Sequence, residues 1–103
     1  IQSASATKWG KYDVSQMEAL KGGEFFTIHA GYDPAAANED PNRTVPVDVM
    51  NEFAKEGKIG GVYKYFYSTV GTGTTQAEAA RMGREIAEEL LADGIKAAIL
   101  TST

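Results

Sequence analysis

Three short groups of side chains in this chain have the functional groups needed for binding and acid–base chemistry. The first group surrounds the single histidine, His29, with Tyr32 and Asp33 close behind it. An imidazole exchanges a proton near neutral pH, and a nearby carboxylate can orient it. We therefore predict that His29 and Asp33 are catalytic and that Tyr32 contacts the substrate. The alternative is a histidine whose hydrogen bonds are purely structural.

The second group is a turn rich in glycine and threonine that precedes a helix. The third group is the pair of hydroxyl residues Ser102 and Thr103. Backbone N–H groups at the start of a helix attract an anion such as a carboxylate or a phosphate. Gln76 interrupts the three-glycine dinucleotide pattern and no lysine completes a P-loop, so a turn capped by hydroxyl groups remains the alternative. With Tyr32, the predicted substrate-binding residues are Ser68, Thr69, Gly71, Gly73, Thr74, Ser102 and Thr103.

Alternating strands and helices are predicted to position these groups. Aromatic and β-branched residues indicate strands at residues 24–29, 62–67 and 95–100, and apolar spacing indicates helices at residues 46–57 and 76–93. This order favours right-handed crossovers and a parallel sheet. We therefore predict a three-layer α/β fold with a parallel sheet, in which the three groups meet at the carboxyl edge of the strands.

The longer predicted helix has the clearest termini. Thr75 and Glu78 have the spacing of a capping box, and Gly94 is a typical C-terminal stop. Its glutamate-rich face is typical of solvent-exposed surface. Residues 1–23 are predicted to be an extended lead-in and residues 24–103 a βαβαβ core, so the whole chain, 1–103, is a single partial α/β domain. Because three strands leave a sheet face and edges uncovered, we expect part of a larger domain and self-association into a homo-oligomer.

The composition argues against several classes of protein. Ten Lys and Arg residues against fourteen Asp and Glu give a net charge of −4, and their scatter argues against nucleic-acid and membrane partners. With no cysteine and one histidine, we predict no metal site and no disulfide. The chain has no apolar run of about 18 residues, which excludes a transmembrane helix by sequence. Because the first residues lack a secretory signal pattern, we expect a cytoplasmic location.

Five segments, in order and at matching spacing, resemble the selenoprotein B subunit of glycine, sarcosine and betaine reductases. They are residues 29–34, 37–40, 45–49, 65–71 and 98–103. The more distant D-proline reductase selenoprotein has a similar stretch around the histidine. The resemblance runs from Ser5 to Thr103 and leaves the choice among glycine, sarcosine and betaine open.

The resemblance implies an oxidoreductase that cleaves the substrate C–N bond reductively. In that family, a pyruvoyl group on a partner subunit takes up the substrate amine, and a selenocysteine selenolate attacks the α-carbon. The implied partners are the pyruvoyl-containing subunit of component B, selenoprotein A, protein C, which forms acetyl phosphate, and a small amino-acid substrate. No cofactor is expected on this chain itself. By position, the glycine turn would hold the substrate carboxylate, His29 would protonate the leaving amine, and Asp33 would orient His29.

In the family, the residues that match Leu100–Thr103 are followed by selenocysteine, which a UGA codon encodes. We therefore expect a UGA codon directly after Thr103, and we expect this 103-residue piece to be inactive. The alternative is a non-catalytic α/β module that binds a small anionic ligand or a protein partner at the strand carboxyl edge. An in-frame UGA followed by codons for Gly-Thr-Cys favours the reductase, whereas a UAA stop favours the module.

Overall fold

The computed structural model describes residues 4–103, which form a mixed α/β chain. Its elements are β1 (Gly10–Asp13), α1 (Ala35–Glu39), a 3-10 helix (Pro41–Arg43), α2 (Val47–Lys55), β2 (Tyr65–Ser68) and α3 (Gln76–Ala92). They belong to two compact units. The first unit comprises Ile1–Asp13 and Tyr65–Ile99, and the second comprises Val14–Lys64 and Leu100–Thr103. Residues 1–3 of the predicted lead-in lie outside the described residues.

The first unit contains an antiparallel ribbon of two strands. β1 pairs with β2 so that Gly10 is opposite Ser68 and Tyr12 is opposite Phe66. The Tyr12 and Phe66 rings stack across the strands with centroids 4.8 Å apart, as expected for directly opposed aromatic residues on one face. Gly10 is buried, and a Cβ there would lie 2.8 Å from the Tyr12 hydroxyl oxygen. This strand position therefore suits glycine.

Helix α3 completes the first unit, and both of its termini follow from local sequence. The Thr75 side chain accepts a hydrogen bond from the Glu78 backbone N–H, at 3.1 Å. At the other end, Gly94 has a φ of +73°, which favours glycine. The N–H groups of Gly94 and Ile95 donate to Leu91 and Leu90, the bonding pattern of a Schellman motif. Met82, only 2% exposed, is the most deeply buried apolar side chain among the described residues.

In the second unit, asparagine side chains bond backbone groups that lie outside the helices. The buried Asn42 amide accepts a hydrogen bond from Leu20 N–H and donates to the Leu20 carbonyl, both at 2.9 Å. Asn51 donates to the carbonyl of Met17, at 3.0 Å. These amides satisfy backbone groups that a neighbouring strand would otherwise bond. The buried apolar side chains of this unit are Val14, Leu20 and Val47.

The predicted parallel sheet of three strands is wrong, because the sheet of the described residues has two antiparallel strands. Only the predicted strand at residues 62–67 has a counterpart, β2, and its partner is β1, within the predicted lead-in. Residues 24–29 make an isolated bridge, and residues 95–103 have no regular structure. A strand exists only where a neighbour bonds its backbone. Several apolar side chains in these segments are accordingly exposed, with Ile28 at 87% and Leu100 at 94%.

Both predicted helices are confirmed. The predicted helix at residues 46–57 is α2, Val47–Lys55, with Pro46 at its N-cap. The predicted helix at residues 76–93 is α3, Gln76–Ala92. Within residues 4–103, no helix has both the length and the apolar character required to cross a membrane.

Candidate functional site

The predicted catalytic histidine lies in a short loop of the second unit, residues 27–34, which we call the histidine loop. His29 is half-buried, and its Nδ1 atom accepts a hydrogen bond from the Gly31 backbone N–H, at 2.8 Å. Because Nδ1 is the acceptor, the neutral ring carries its proton on Nε2. The Tyr32 ring lies beside the imidazole, with centroids 5.1 Å apart. The structure therefore brings His29 and Tyr32 together.

Asp33 contacts the start of helix α1. Its Oδ1 atom accepts a hydrogen bond from the Ala35 backbone N–H, at 3.0 Å. This bond satisfies one of the N–H groups that a helix leaves unpaired at its first turn. Asp33 therefore fixes the place where the histidine loop enters α1, and its orienting role toward His29 stays a prediction.

The histidine loop is also held at its beginning. The Asn38 side chain accepts a hydrogen bond from Thr27 N–H at 2.7 Å and donates one to the Thr27 carbonyl at 3.0 Å. The Tyr32 hydroxyl donates to Thr27 Oγ1, at 3.3 Å. Asn38 was not among the predicted site residues, although it lies within the resembling segment at residues 37–40. Its signal in the sequence is that family resemblance alone.

The predicted anion-binding turn lies in the first unit and is closed by its own hydrogen bonds. Thr74 N–H donates to the Gly71 carbonyl at 3.0 Å, and Thr74 Oγ1 donates to the Val70 carbonyl. Gly73 has a φ of +76°, which favours glycine in this turn. These contacts show that the glycine and threonine residues stabilise the turn itself. Anion binding at Gly71, Gly73 and Thr74 stays a prediction.

The remaining predicted site residues are divided between the units. Ser68 ends strand β2, and Thr69 is exposed just after it, in the first unit. Ser102 and Thr103 are exposed in an irregular segment of the second unit, which also contains the His29 loop. The argument that all of these groups share one edge depended on a parallel sheet, which the described residues do not form.

The acidic face of α3 is more than solvent-exposed surface, because the ribbon contacts it within the first unit. Trp9 Nε1 donates a hydrogen bond to Glu85, at 2.9 Å. Lys11 Nζ and the Tyr67 hydroxyl donate to the two oxygens of Glu89, at 2.9 and 2.7 Å. Arg81 pairs with Glu78 and Glu85 along the helix. The sequence pattern gives no sign of the contacts from Trp9, Lys11 and Tyr67, because they join residues that are 22 to 78 positions apart.

Two of these carboxyl groups are shifted toward their charged form. The Trp9 hydrogen bond, followed by that of Arg81, lowers the pKa of Glu85 below its ordinary value. The Lys11 hydrogen bond, followed by that of Tyr67, lowers the pKa of Glu89 in the same way. Donors that favour an ionised carboxylate stabilise the fold only while that carboxylate is charged.

Acid should therefore weaken the first unit. Because both carboxyl groups have a lower pKa in the folded chain, their contribution is present above the unfolded pKa, about 4.3, and is lost as the pH falls through the folded values. Urea unfolding between pH 7 and pH 3 should show a falling free energy of unfolding. Glu89→Gln should flatten that fall, while Glu88→Gln, at an exposed neighbour on α3, should leave it unchanged. Equal pH profiles for wild type and Glu89→Gln would contradict this assignment.

Neither predicted catalytic residue is part of an evident metal site. Within residues 4–103, no group of three or more His, Cys, Asp or Glu side chains is arranged to hold a metal ion.

Comparisons with known proteins define the class of this chain. The family model for glycine/sarcosine/betaine reductase selenoprotein B matches residues 1–103, and the chain belongs to this family. It is 62% identical over its full length to the betaine reductase complex component B subunit beta of Peptoclostridium acidaminophilum. It is also 50% identical to a glycine reductase component B subunit gamma from Carboxydothermus hydrogenoformans and 46% identical to a sarcosine reductase component B subunit beta from Peptoclostridium acidaminophilum. It again matches over its full length in both comparisons.

The chain spans 24% of the length of each of these curated relatives. All three relatives are named as components of multi-subunit reductase complexes. No solved structure matches the chain significantly.

Proposed function

We propose that the protein containing this chain is the substrate-specific component B subunit of a reductase that cleaves the C–N bond of betaine. The observation that carries the proposal is the 62% identity to a betaine reductase subunit over all 103 residues. Identities to the glycine and sarcosine reductase subunits are 50% and 46% over the same residues. Betaine is therefore favoured over glycine and sarcosine as the substrate.

The histidine loop fits a substrate that combines a carboxylate with a quaternary ammonium group. The N–H group at His29 Nε2 would donate a hydrogen bond to the substrate carboxylate, which all three candidate substrates share. The Tyr32 ring, 5.1 Å from the imidazole by centroids, would suit the trimethylammonium group, because aromatic rings attract quaternary ammonium ions.

Protonation of the leaving amine by His29 is less suited to this substrate. Reductive cleavage of betaine releases trimethylamine, which leaves as a neutral molecule and needs no proton. Protonation of Nδ1 would also remove the acceptor that now bonds Gly31 N–H. A hydrogen-bonding role for His29 therefore agrees better with the observed contacts than acid catalysis does.

The reductive chemistry would come from groups outside these residues. The chain contains no cysteine or selenocysteine that could act as the nucleophile. In the whole enzyme, selenocysteine would supply the nucleophile. The quaternary nitrogen of betaine cannot form a Schiff base with a pyruvoyl group, and its positive charge already makes trimethylamine a good leaving group. The residues of this chain would bind and orient the substrate. We accordingly propose that the 103-residue piece alone is inactive.

The proposed partners follow from the same family membership. They are the pyruvoyl-containing subunit of component B, selenoprotein A and protein C, which would together convert the two-carbon product to acetyl phosphate. We propose a cytoplasmic location and a homo-oligomeric assembly for the whole protein.

The test is an assay of the complete protein, assembled with these partners, a dithiol reductant and inorganic phosphate, on each of the three substrates. We expect trimethylamine and acetyl phosphate from betaine, at a rate at least about tenfold above that with glycine or sarcosine, since small differences in substrate groups are worth about 1–3 kcal/mol. The 103-residue piece should give no product. Ammonia from glycine as the main product would overturn the choice of betaine, and failure to form any amine would overturn the proposed reaction.

A further inference from the structure

Asn38 connects helix α1 to the beginning of the histidine loop. Its side chain bonds both backbone groups of Thr27, through an acceptor contact of 2.7 Å and a donor contact of 3.0 Å. Two bonds from one planar amide fix both the position and the orientation of the Thr27 peptide groups. His29 follows Thr27 by two residues, so its backbone starts from this fixed point.

The same helix holds the end of the loop. Asp33 accepts a hydrogen bond from Ala35 N–H at the start of α1, and Asn38 N–H donates to the Pro34 carbonyl at 2.9 Å. The loop that contains His29 is therefore fixed to α1 at both of its ends. Tyr32 adds a third connection, from its hydroxyl to Thr27 Oγ1.

We propose that Asn38 is a positioning residue for the reaction, and that it acts by holding the loop that directs His29 toward the substrate. This inference rests on the proposed function, because it assigns Asn38 an effect only through His29. Small displacements of a positioned group can cost about 100-fold in rate. The half-buried amide of Asn38 is thus expected to matter for turnover although it is not proposed to touch the substrate.

Asn42 provides a matched control. It makes the same pair of amide bonds to Leu20, both at 2.9 Å, as Asn38 makes to Thr27. Asn→Leu at either position removes both backbone bonds and keeps a side chain of similar size. At position 42 it also removes the bond that the buried amide donates to Asp40, at 2.8 Å. Asn42→Leu should therefore lose at least as much stability as Asn38→Leu, whereas only the change at position 38 releases the histidine loop.

The experiment uses the complete reductase and a double-mutant cycle. Asn38→Leu should lower kcat/KM for betaine by about tenfold or more, whereas Asn42→Leu should change it less than threefold once both proteins are assayed where they remain folded. Combined with His29→Ala, Asn38→Leu should add little further loss, because residues that act through one another are not additive. Hydrogen exchange should show faster exchange of the Thr27 amide in Asn38→Leu only.

Three results would overturn the inference that Asn38 positions His29. They are an unchanged kcat/KM in Asn38→Leu, an equal loss of kcat/KM in Asn42→Leu, and losses that add in the double variant. If Asn38→Leu does not fold, Asn38→Asp replaces it in the same cycle, because it keeps the acceptor for Thr27 N–H and loses the donor. A wild-type enzyme that does not reduce betaine would instead refute the proposed function, which separates the two failures.

Discussion

Replacing His29 with alanine in the complete reductase is expected to lower turnover of betaine by about 100-fold, because a hydrogen bond to a charged group contributes up to about 3 kcal/mol. The change removes the proposed donor to the substrate carboxylate. It also removes the acceptor of the Gly31 N–H bond, 2.8 Å long, that shapes the loop. The measurement is the rate of trimethylamine release at saturating and at limiting betaine.

Glutamine at position 29 is the informative control. Its side-chain amide can place an N–H donor near the position of His29 Nε2, but it cannot exchange a proton near neutral pH. We expect His29→Gln to retain turnover within about tenfold of wild type, a loss of less than about 1.4 kcal/mol. If glutamine is as poor as alanine, proton transfer by His29 is favoured instead. Unchanged turnover in His29→Ala would remove His29 from the mechanism.

Replacing Met82 with alanine is expected to destabilise the chain by about 2–5 kcal/mol, the usual cost of shortening a large buried side chain. Met82 lies on α3 and is only 2% exposed. Its removal leaves a cavity that the surrounding residues can close only in part. Because small domains have about 5–15 kcal/mol of stability in total, this loss is a large fraction. Urea unfolding followed by far-ultraviolet circular dichroism measures it.

Leu91→Ala is the matched control, on the same helix. Leu91 is 73% exposed, so its truncation removes little buried surface. The expected change in the free energy of unfolding is within about 0.5 kcal/mol, as for other surface substitutions. Equal losses from Met82→Ala and Leu91→Ala would contradict the placement of α3 in the first unit.

The helices could be predicted because their signals are local. Helix α3 combines an apolar stripe with Thr75 at its start and Gly94 at its end, all within about twenty residues. Helix α2 is similarly defined by Pro46 and Gly57. Hydrogen bonds inside a helix join residues four apart, so its sequence contains most of the necessary information.

The strands could not be predicted in the same way, because a strand depends on a partner that is distant in sequence. β1 was assigned to an extended lead-in because its partner, β2, follows more than fifty residues later. Residues 24–29 have the composition of a strand, yet Thr27 bonds an asparagine side chain instead of a neighbouring strand. Composition indicates that a segment can form a strand, but the tertiary fold decides whether a second strand lies beside it.

The candidate site was predicted in its residue types and less well in their roles. His29 and Tyr32 lie together, as their sequence spacing suggests. Asp33 is predicted to orient His29, but it accepts a hydrogen bond from Ala35 N–H at the start of α1, a helix that the sequence pattern did not predict. Asn38 was not predicted, because an amide that bonds a backbone eleven residues away leaves no local pattern.

The division into two compact units separates the chain's two unique aromatic residues. Trp9, the single tryptophan, belongs to the first unit, and His29, the single histidine, belongs to the second. The Trp9 indole lies 5.5 Å from the Tyr67 ring and bonds Glu85, so its fluorescence reports on the order of the first unit. The ring protons of His29 give nuclear magnetic resonance signals that report on the second. Without any labelling, the chain thus has one fluorescence probe and one nuclear magnetic resonance probe, each in a different unit.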